Sequence, residues 1–259
     1  MKHCYTKTDL KNTFKQVGIE KGDLVFCHTN VGFLGMPEGA KNKEDALQII
    51  LDALIQVIGE EEGTLVVPTF TYSFSENTDF DPENSKSNCG MFSEYVKDLP
   101  NSIRNHDPSV SVAAIGLLAN DICGETQENT YSEKGVFGKM LRRNGKILNI
   151  NFDAGSTFLH YVERALNVPY RYDKTFVGKI IINGVTKKVR STIWVRNHNI
   201  ENSEAYFGEF NKLAVKKGLY VKGKVGRGII GCISMHDAFH LVEKEIVKNP
   251  WLLTNRMNK

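Results

Sequence analysis

From Lys43 to Ile58 the chain sets Ala46, Ile49, Ile50, Leu54 and Val57 on one helical face, and Gly59 with the acidic turn Glu60-Glu61-Glu62-Gly63 ends the pattern. Thr64-Leu65-Val66-Val67 follows at once as a short buried strand, halted by Pro68. Upstream, Thr8 to Val17 has helical spacing, with Thr8 as its start and an incomplete capping box. Leu24-Val25-Phe26-Cys27-His28 is an apolar run bounded by turn residues and reads as a strand. Helix, strand, helix, strand, all before Thr69, restricts the chain to a layered α/β architecture.

The remainder fits that frame. A polar stretch from Thr69 to Asn105, punctuated by Pro82, Gly90 and Pro100, contains only the helical pattern Phe92 to Lys97. Stretches of that length inside a compact domain are usually functional or disordered, and the part from Thr71 to Asn105 is expected to border a binding site. Val110 to Leu118 is a further apolar run, Gly135 to Arg142 is helix-like, Lys146 to Ile150 reads as a buried strand and Ser156 to Leu166 as a helix. In Lys179 to Val189, Asn183-Gly184 sits between strand formers, which signals a hairpin, and Thr192 to Val195 extends that antiparallel part. Met235 to Val247 is the last helix, stopped by Asn249-Pro250. With no internal repeat and no interdomain linker, residues 1–259 are expected to form a single domain.

Several function classes are excluded early. Thirty-three basic against 30 acidic residues give a net charge of +3, too balanced for a partner defined by a nucleic-acid backbone. The five cysteines, Cys4, Cys27, Cys89, Cys123 and Cys232, include no CxxC pair, so neither a disulfide framework nor a zinc site is expected, and the reducing cytoplasm is the expected compartment. The opening MKHCYTKTDLKNTFKQ lacks an apolar signal core, and no stretch approaches the ~20 apolar residues of a membrane span. No P-loop, GxSxG elbow or HExxH motif occurs, and Gly32-Phe33-Leu34-Gly35 does not make a dinucleotide loop.

Four segments carry chemistry-bearing residues. His160 and Glu163 stand three apart on an expected helix, where a carboxylate can orient an imidazole general base; an ordinary surface ion pair has the same spacing. His28-Thr29-Asn30 closes a strand, a place where α/β proteins assemble ligand sites, or simply turns the chain. Arg104 to Ser111 concentrates charged and hydrogen-bonding groups that suit a phosphate or an amine, or a solvated Asp-Pro loop. Gly223-Lys224-Val225-Gly226-Arg227-Gly228 either approaches a phosphate or forms a flexible turn. Trp194 and Trp251 mark either a subunit interface or ordinary core.

Taken in order, the motifs resemble those of the aminoglycoside 3-N-acetyltransferase family, whose fold differs from that of the GNAT acetyltransferases. Phe26 to Gly35 is similar to the family's His-Ser-Ser segment ending in glycine, and Gly63 to Thr71 to its GTLVxPTFT strand. Phe80-Asp81-Pro82 with Ser85, Ser87 and Gly90 resembles the next loop, Arg104 to Gly116 the RSxHPxxSxAAxG segment, and Thr157 to Glu163 the TxLHxxE signature. The resemblance spans most of the chain. It implies a three-layer α/β/α sandwich with a central mixed sheet and an antiparallel hairpin addition, and acetyl-CoA as cosubstrate with no metal.

By the same resemblance, His160 activates an acceptor amine, Glu163 supports it, and Thr157 or a nearby backbone amide meets the oxyanion. His28, Thr29, Asn30, Arg104 and Ser111 are the expected contacts to CoA, and Asp81, Asp107 and Asp153 the acidic groups facing a cationic amino sugar. Two departures stand out: Asp107-Pro108 replaces His-Pro, and Thr29-Asn30 replaces paired serines. The Asp107-Pro108 departure directs the expected acceptor towards a nucleotide-linked amino sugar of surface-glycan biosynthesis. Acetylation of an aminoglycoside antibiotic, and a non-catalytic CoA-binding role, are the alternatives; a homodimer is left open.

Overall fold

The computed structural model describes residues 4–258. Its elements in chain order are α1 (Lys7–Gln16), β1 (Leu24–Thr29), α2 (Lys43–Ile58), β2 (Thr64–Pro68), α3 (Met91–Lys97), β3 (Ile103–Arg104), β4 (Val112–Gly116), α4 (Ala119–Cys123), α5 (Val136–Arg142), β5 (Lys146–Ile150), α6 (Phe158–Ala165), β6 (Arg171–Ile182), β7 (Val185–Arg196), α7 (Gly208–Lys216), β8 (Val221–Val225), β9 (Gly228–Ser234) and α8 (Met235–Ile246). Helix α1 begins earlier than its periodicity suggests: Thr6 is the cap, its hydroxyl accepting from Asp9 N at 3.1 Å while Asp9 Oδ2 accepts from Thr6 N at 2.8 Å. The capping box is therefore complete, and Thr8 lies inside the helix.

Seven strands form one mixed sheet in the order β3-β4-β2-β1-β5-β9-β8. The central three, β2, β1 and β5, run parallel, and antiparallel pairs close both edges. Alternation along β1 sorts the core into two layers. Leu24 and Phe26 join Val66, Ile147 and Ile233 in a cluster with Phe137 of α5, Phe158 of α6 and Leu241 of α8. Val25 and Cys27 face the other way, with Leu65, Leu148, Phe14 of α1, Ile50 and Leu54 of α2 and Phe92 of α3. The molecule is thus an α/β/α sandwich, as the sequence leads one to expect. Trp194 is buried in the first of these clusters, and Trp251 packs against its edge.

The hairpin differs from expectation in two respects. Its strands run much further, from Arg171 to Arg196, and they form a separate two-stranded sheet instead of joining the central one. Asn183 and Gly184 adopt φ of 50° and 73°, the left-handed pair that a tight two-residue turn requires. The polar stretch after Thr69 packs against this hairpin: Phe80 N donates to Lys179 O at 2.9 Å, and Phe74 and Phe80 bury a small cluster with Ile180.

The glycine-rich stretch 223–228 is not a flexible turn but the end of β8, a two-residue reversal at Gly226-Arg227, and the start of β9. Gly226 has φ +57°, and a Cβ there would lie 2.3 Å from Leu34 O. β9 and α7 add elements beyond those expected from sequence.

Candidate active site

Helix α6 is strongly amphipathic, burying Phe158, Leu159, Tyr161 and Val162 against the sheet, and this fixes where its polar residues project. His160 and Glu163 lie one turn apart, with Nδ1 2.6 Å from Oε2. The imidazole keeps 18% of its surface exposed and the carboxylate none. Glu163 Oε1 accepts from the Tyr170 hydroxyl at 2.9 Å, and the Arg171 guanidinium approaches Oε2 with Nε at 2.8 Å. That last contact is an ion pair without an aligned N–H, since Arg171 Nε makes no hydrogen bond. Tyr170 is fully buried and stacks on Trp251, ring centres 5.2 Å apart.

With Nδ1 committed to Glu163, Nε2 of His160 has no side-chain or backbone partner among the described residues. The rings of Tyr131 and Phe207 flank the imidazole, with centroids at 6.1 and 5.7 Å. An imidazole held at one nitrogen by a carboxylate, with the other free at a rim, can take a proton from an amine or hydroxyl placed there.

His28 reaches the same helix from β1. Its Nε2 lies 2.9 Å from Ser156 Oγ, and that hydroxyl accepts at 3.2 Å from the backbone N of Phe158, the first residue of α6. Burial beside Phe26 pushes the His28 imidazole down to about 4, so it is neutral at physiological pH. Thr157 occupies the cap position of α6 but makes no side-chain capping bond. Along α6 the structure thus sets the His28–Ser156 pair at the N-terminal approach, Thr157 at the cap and the His160–Glu163 pair on the helix itself.

Thr29 and Asn30 lie just beyond. The Thr29 hydroxyl is buried without a partner, and Asn30 lines a cavity of about 670 Å³ together with Asp153, Phe152, Asn211, Lys222 and Arg227. Asp153 is exposed, and its Oδ1 accepts from Gly155 N at 2.9 Å. Gly155 connects this cavity to the dyad: a Cβ there would lie 2.8 Å from both Asp153 Oδ1 and the Phe207 ring that flanks His160. A second cavity of about 530 Å³, lined by Leu51, Ile55 and Ile115 on the opposite face of the sheet, contains none of the expected site residues.

Four expected site residues are spent inside the protein. Arg104 donates from Nη1 to Pro82 O and Ser85 O at 3.1 and 2.6 Å, from Nη2 to Thr69 O at 2.7 Å, and from Nε to Thr69 Oγ1 at 3.1 Å. It therefore ties the polar stretch to the sheet, and few donors remain for a phosphate. Ser111 is wholly buried and donates to Thr69 O at 2.6 Å. Asp107, also buried, accepts from Ser109 N at 2.8 Å, from Val110 N at 3.0 Å and from the Thr130 hydroxyl, and burial raises its carboxyl above the usual range. Asp81 folds its own turn, accepting from Glu83 N and Asn84 N at 2.9 and 3.0 Å.

Sequence reasoning missed Ser156, Tyr170 and Arg171, because nothing in the spacing of Pro169-Tyr170-Arg171 connects it to α6. Lys222 and Arg227 had a partial signal, since they flank and belong to the basic glycine-rich stretch.

A family model described as aminoglycoside 3-N-acetyltransferase matches residues 27–246. The chain is 25% identical to aminoglycoside N(3)-acetyltransferase IX of Micromonospora chalcea, covering 83% of this chain and 78% of that protein. It is 23% identical to the prophage-derived aminoglycoside N(3')-acetyltransferase-like protein YokD of Bacillus subtilis, over 94% and 93% of the two chains. Among solved structures it superposes on aminoglycoside acetyltransferase AAC(3)-Xa with a TM-score of 0.80 at 20% identity, covering 93% and 92%. It superposes on AAC-IIIb in binary complex with CoASH with a TM-score of 0.78 at 19% identity, covering 94% and 96%.

Proposed function

The chain belongs to the aminoglycoside 3-N-acetyltransferase family, and from that premise we propose that it transfers the acetyl group of acetyl-CoA to the 3-amino group of an aminoglycoside. One observation carries the reading: His160 is oriented at Nδ1 by a carboxylate without exposed surface, while the imidazole stays 18% exposed and its Nε2 has no protein partner among the described residues. The acceptor amine gives a proton to Nε2, its nitrogen bonds to the thioester carbonyl carbon, the C–S bond breaks, and the departing CoA thiolate takes up the proton. Thr157, at the end of the same helix, is the proposed donor to the carbonyl oxygen as charge develops there.

For acetyl-CoA the cavity beside Asn30 fits better than the Arg104 loop. Lys222 and Arg227 both line it, and neither has a carboxylate partner among the described residues, so both charges are available to phosphates. Phe33 and Phe152 line the same cavity with 66% and 47% of their surface exposed, and offer faces for the adenine. Asp153, exposed at the side nearest Phe207, is the carboxylate proposed to draw in a cationic acceptor.

The relatives described above are named for aminoglycosides, and none supports the nucleotide-linked sugar that the Asp107-Pro108 departure suggests. AAC-VIa was solved with sisomicin, and AAC(3)-IVa with a gentamicin and with apramycin, which makes these compounds the natural first panel. The test is CoA thiol release from acetyl-CoA by wild type and His160→Ala with these three compounds and with nucleotide-linked amino sugars. Release with an aminoglycoside that vanishes in the variant is expected. Release with the nucleotide-linked sugars alone, or release that survives in His160→Ala, would overturn the proposal.

A further inference from the structure

A carboxylate buried as completely as Glu163 is strongly disfavoured unless neighbouring groups answer its charge. Three do so: His160 Nδ1 at 2.6 Å, the Tyr170 hydroxyl at 2.9 Å and Arg171 Nε at 2.8 Å. They are not equivalent. Tyr170 supplies a neutral hydrogen bond to Oε1, whereas His160 and Arg171 share Oε2. Arg171 is the fixed cation of the three, and its side chain is only 7% exposed, so solvent screens it little.

We propose that Arg171 is a positioning residue of the acetyl transfer, neutralising Glu163 so that this carboxylate orients His160 without holding it as a standing imidazolium. The proposal rests on the reading of His160 as general base. A carboxylate alone at 2.6 Å, shielded from water, favours the protonated imidazole, and a protonated imidazole cannot accept the amine's proton. A guanidinium on the same oxygen makes a further positive charge on the dyad unfavourable.

The surroundings leave this task to Arg171. Tyr131, on the segment between α4 and α5, stands perpendicular to the His160 ring, and Tyr170 is a hydrogen-bond donor. Arg164, on α6 itself, is committed to Asp173 with Nη2 at 2.8 Å from Oδ2. Phe207 brings only an apolar ring. Arg171 is also held in place, as the first residue of β6 paired in register with Arg196 at the end of β7.

The test compares wild type with Arg171→Gln, Arg171→Met and Arg171→Lys, each labelled with 15N in histidine. The imidazole signals of His160, assigned by their loss in His160→Asn, are followed against pH, and kcat/KM for acetyl transfer to an aminoglycoside is measured across the same range. In the neutral variants the protonation midpoint and the acidic limb of kcat/KM are expected to move upward together, by about one pH unit. That corresponds to roughly a tenfold loss on the acidic limb and little loss above it. Arg171→Lys, which restores the charge, is expected to keep the wild-type profile. The Gln and Met replacements differ in shape, so whichever folds carries the comparison. An unmoved midpoint in a folded neutral variant, or a fall in kcat/KM by the same factor at every pH, would overturn the proposal. The titration needs no turnover, so a wild type inactive towards aminoglycosides would count against the functional reading while the role of Arg171 is still decided.

Discussion

His160 and Glu163 form a hydrogen-bonded pair of which one member reaches solvent and the other does not: 2.6 Å separates Nδ1 from Oε2, yet the imidazole is 18% exposed and the carboxylate wholly buried. The two replacements should therefore fail differently. His160→Ala removes a rim group and is expected to lower kcat by about 10²–10⁴ with little change in stability. Glu163→Ala leaves Arg171 buried without its counter-charge and should cost about 3–5 kcal/mol of folding free energy. Urea unfolding of both variants checks this, and equal loss of stability in the two would contradict it.

Arg104 is a structural anchor. Burial lowers its guanidinium to about 10, and its bonds to Thr69, Pro82 and Ser85 hold the stretch after Thr69. Arg104→Ala should destabilise by about 2–3 kcal/mol, seen as a lower Tm and faster proteolysis between residues 71 and 90. By contrast, Lys222→Ala and Arg227→Ala should leave Tm almost unchanged and raise KM for acetyl-CoA about tenfold, more at low than at high salt. A KM effect confined to Arg104→Ala would reverse these assignments.

His28 makes stability depend on acid. Burial holds its imidazole at about 4, below the ~6.5 of an unfolded chain. Between those values the unfolded chain binds more protons than the native protein, so the contribution is complete above about 6.5 and lost as pH falls towards 4. The upper bound is about 3 kcal/mol, reduced by solvent at the half-buried ring. His28→Gln should flatten the pH dependence of unfolding free energy in that window. If the slope is unchanged, His28 does not carry it.

Gly178 governs how the hairpin meets the loop after Thr69. A Cβ at this position would lie 2.5 Å from Cδ1 of Phe74, whose ring is buried with Phe80 and Ile180. Gly178→Val is expected to cost about 1–3 kcal/mol by displacing that ring, with increased amide exchange near Phe74 and Phe80. Unaltered exchange there would show that the ring can move aside freely.

The elements that depend on short-range pattern were legible from the chain itself. Helix α2 runs from Lys43 to Ile58 and strand β5 from Lys146 to Ile150, as their apolar spacing and stop signals require. The Asn183-Gly184 turn was fixed by two residues that tolerate positive φ. The pairing of His160 with Glu163 was readable for the same reason, since three residues on a helix is a local distance. Partners across the fold were not. Arg104, Ser111 and Asp107 look like ligand groups as letters, yet β3 and the loop that joins it to β4 turn them onto the protein itself, where half-buried Arg104 and buried Asp107 and Ser111 are satisfied by internal partners. Tyr170 and Arg171 reach Glu163 only because β6 starts beside α6, and Lys222 and Arg227 face Asn30 only because β8 and β9 complete the sheet edge beyond β5. Spacing along the chain sets local conformation, but which charge meets which is decided by packing between distant segments.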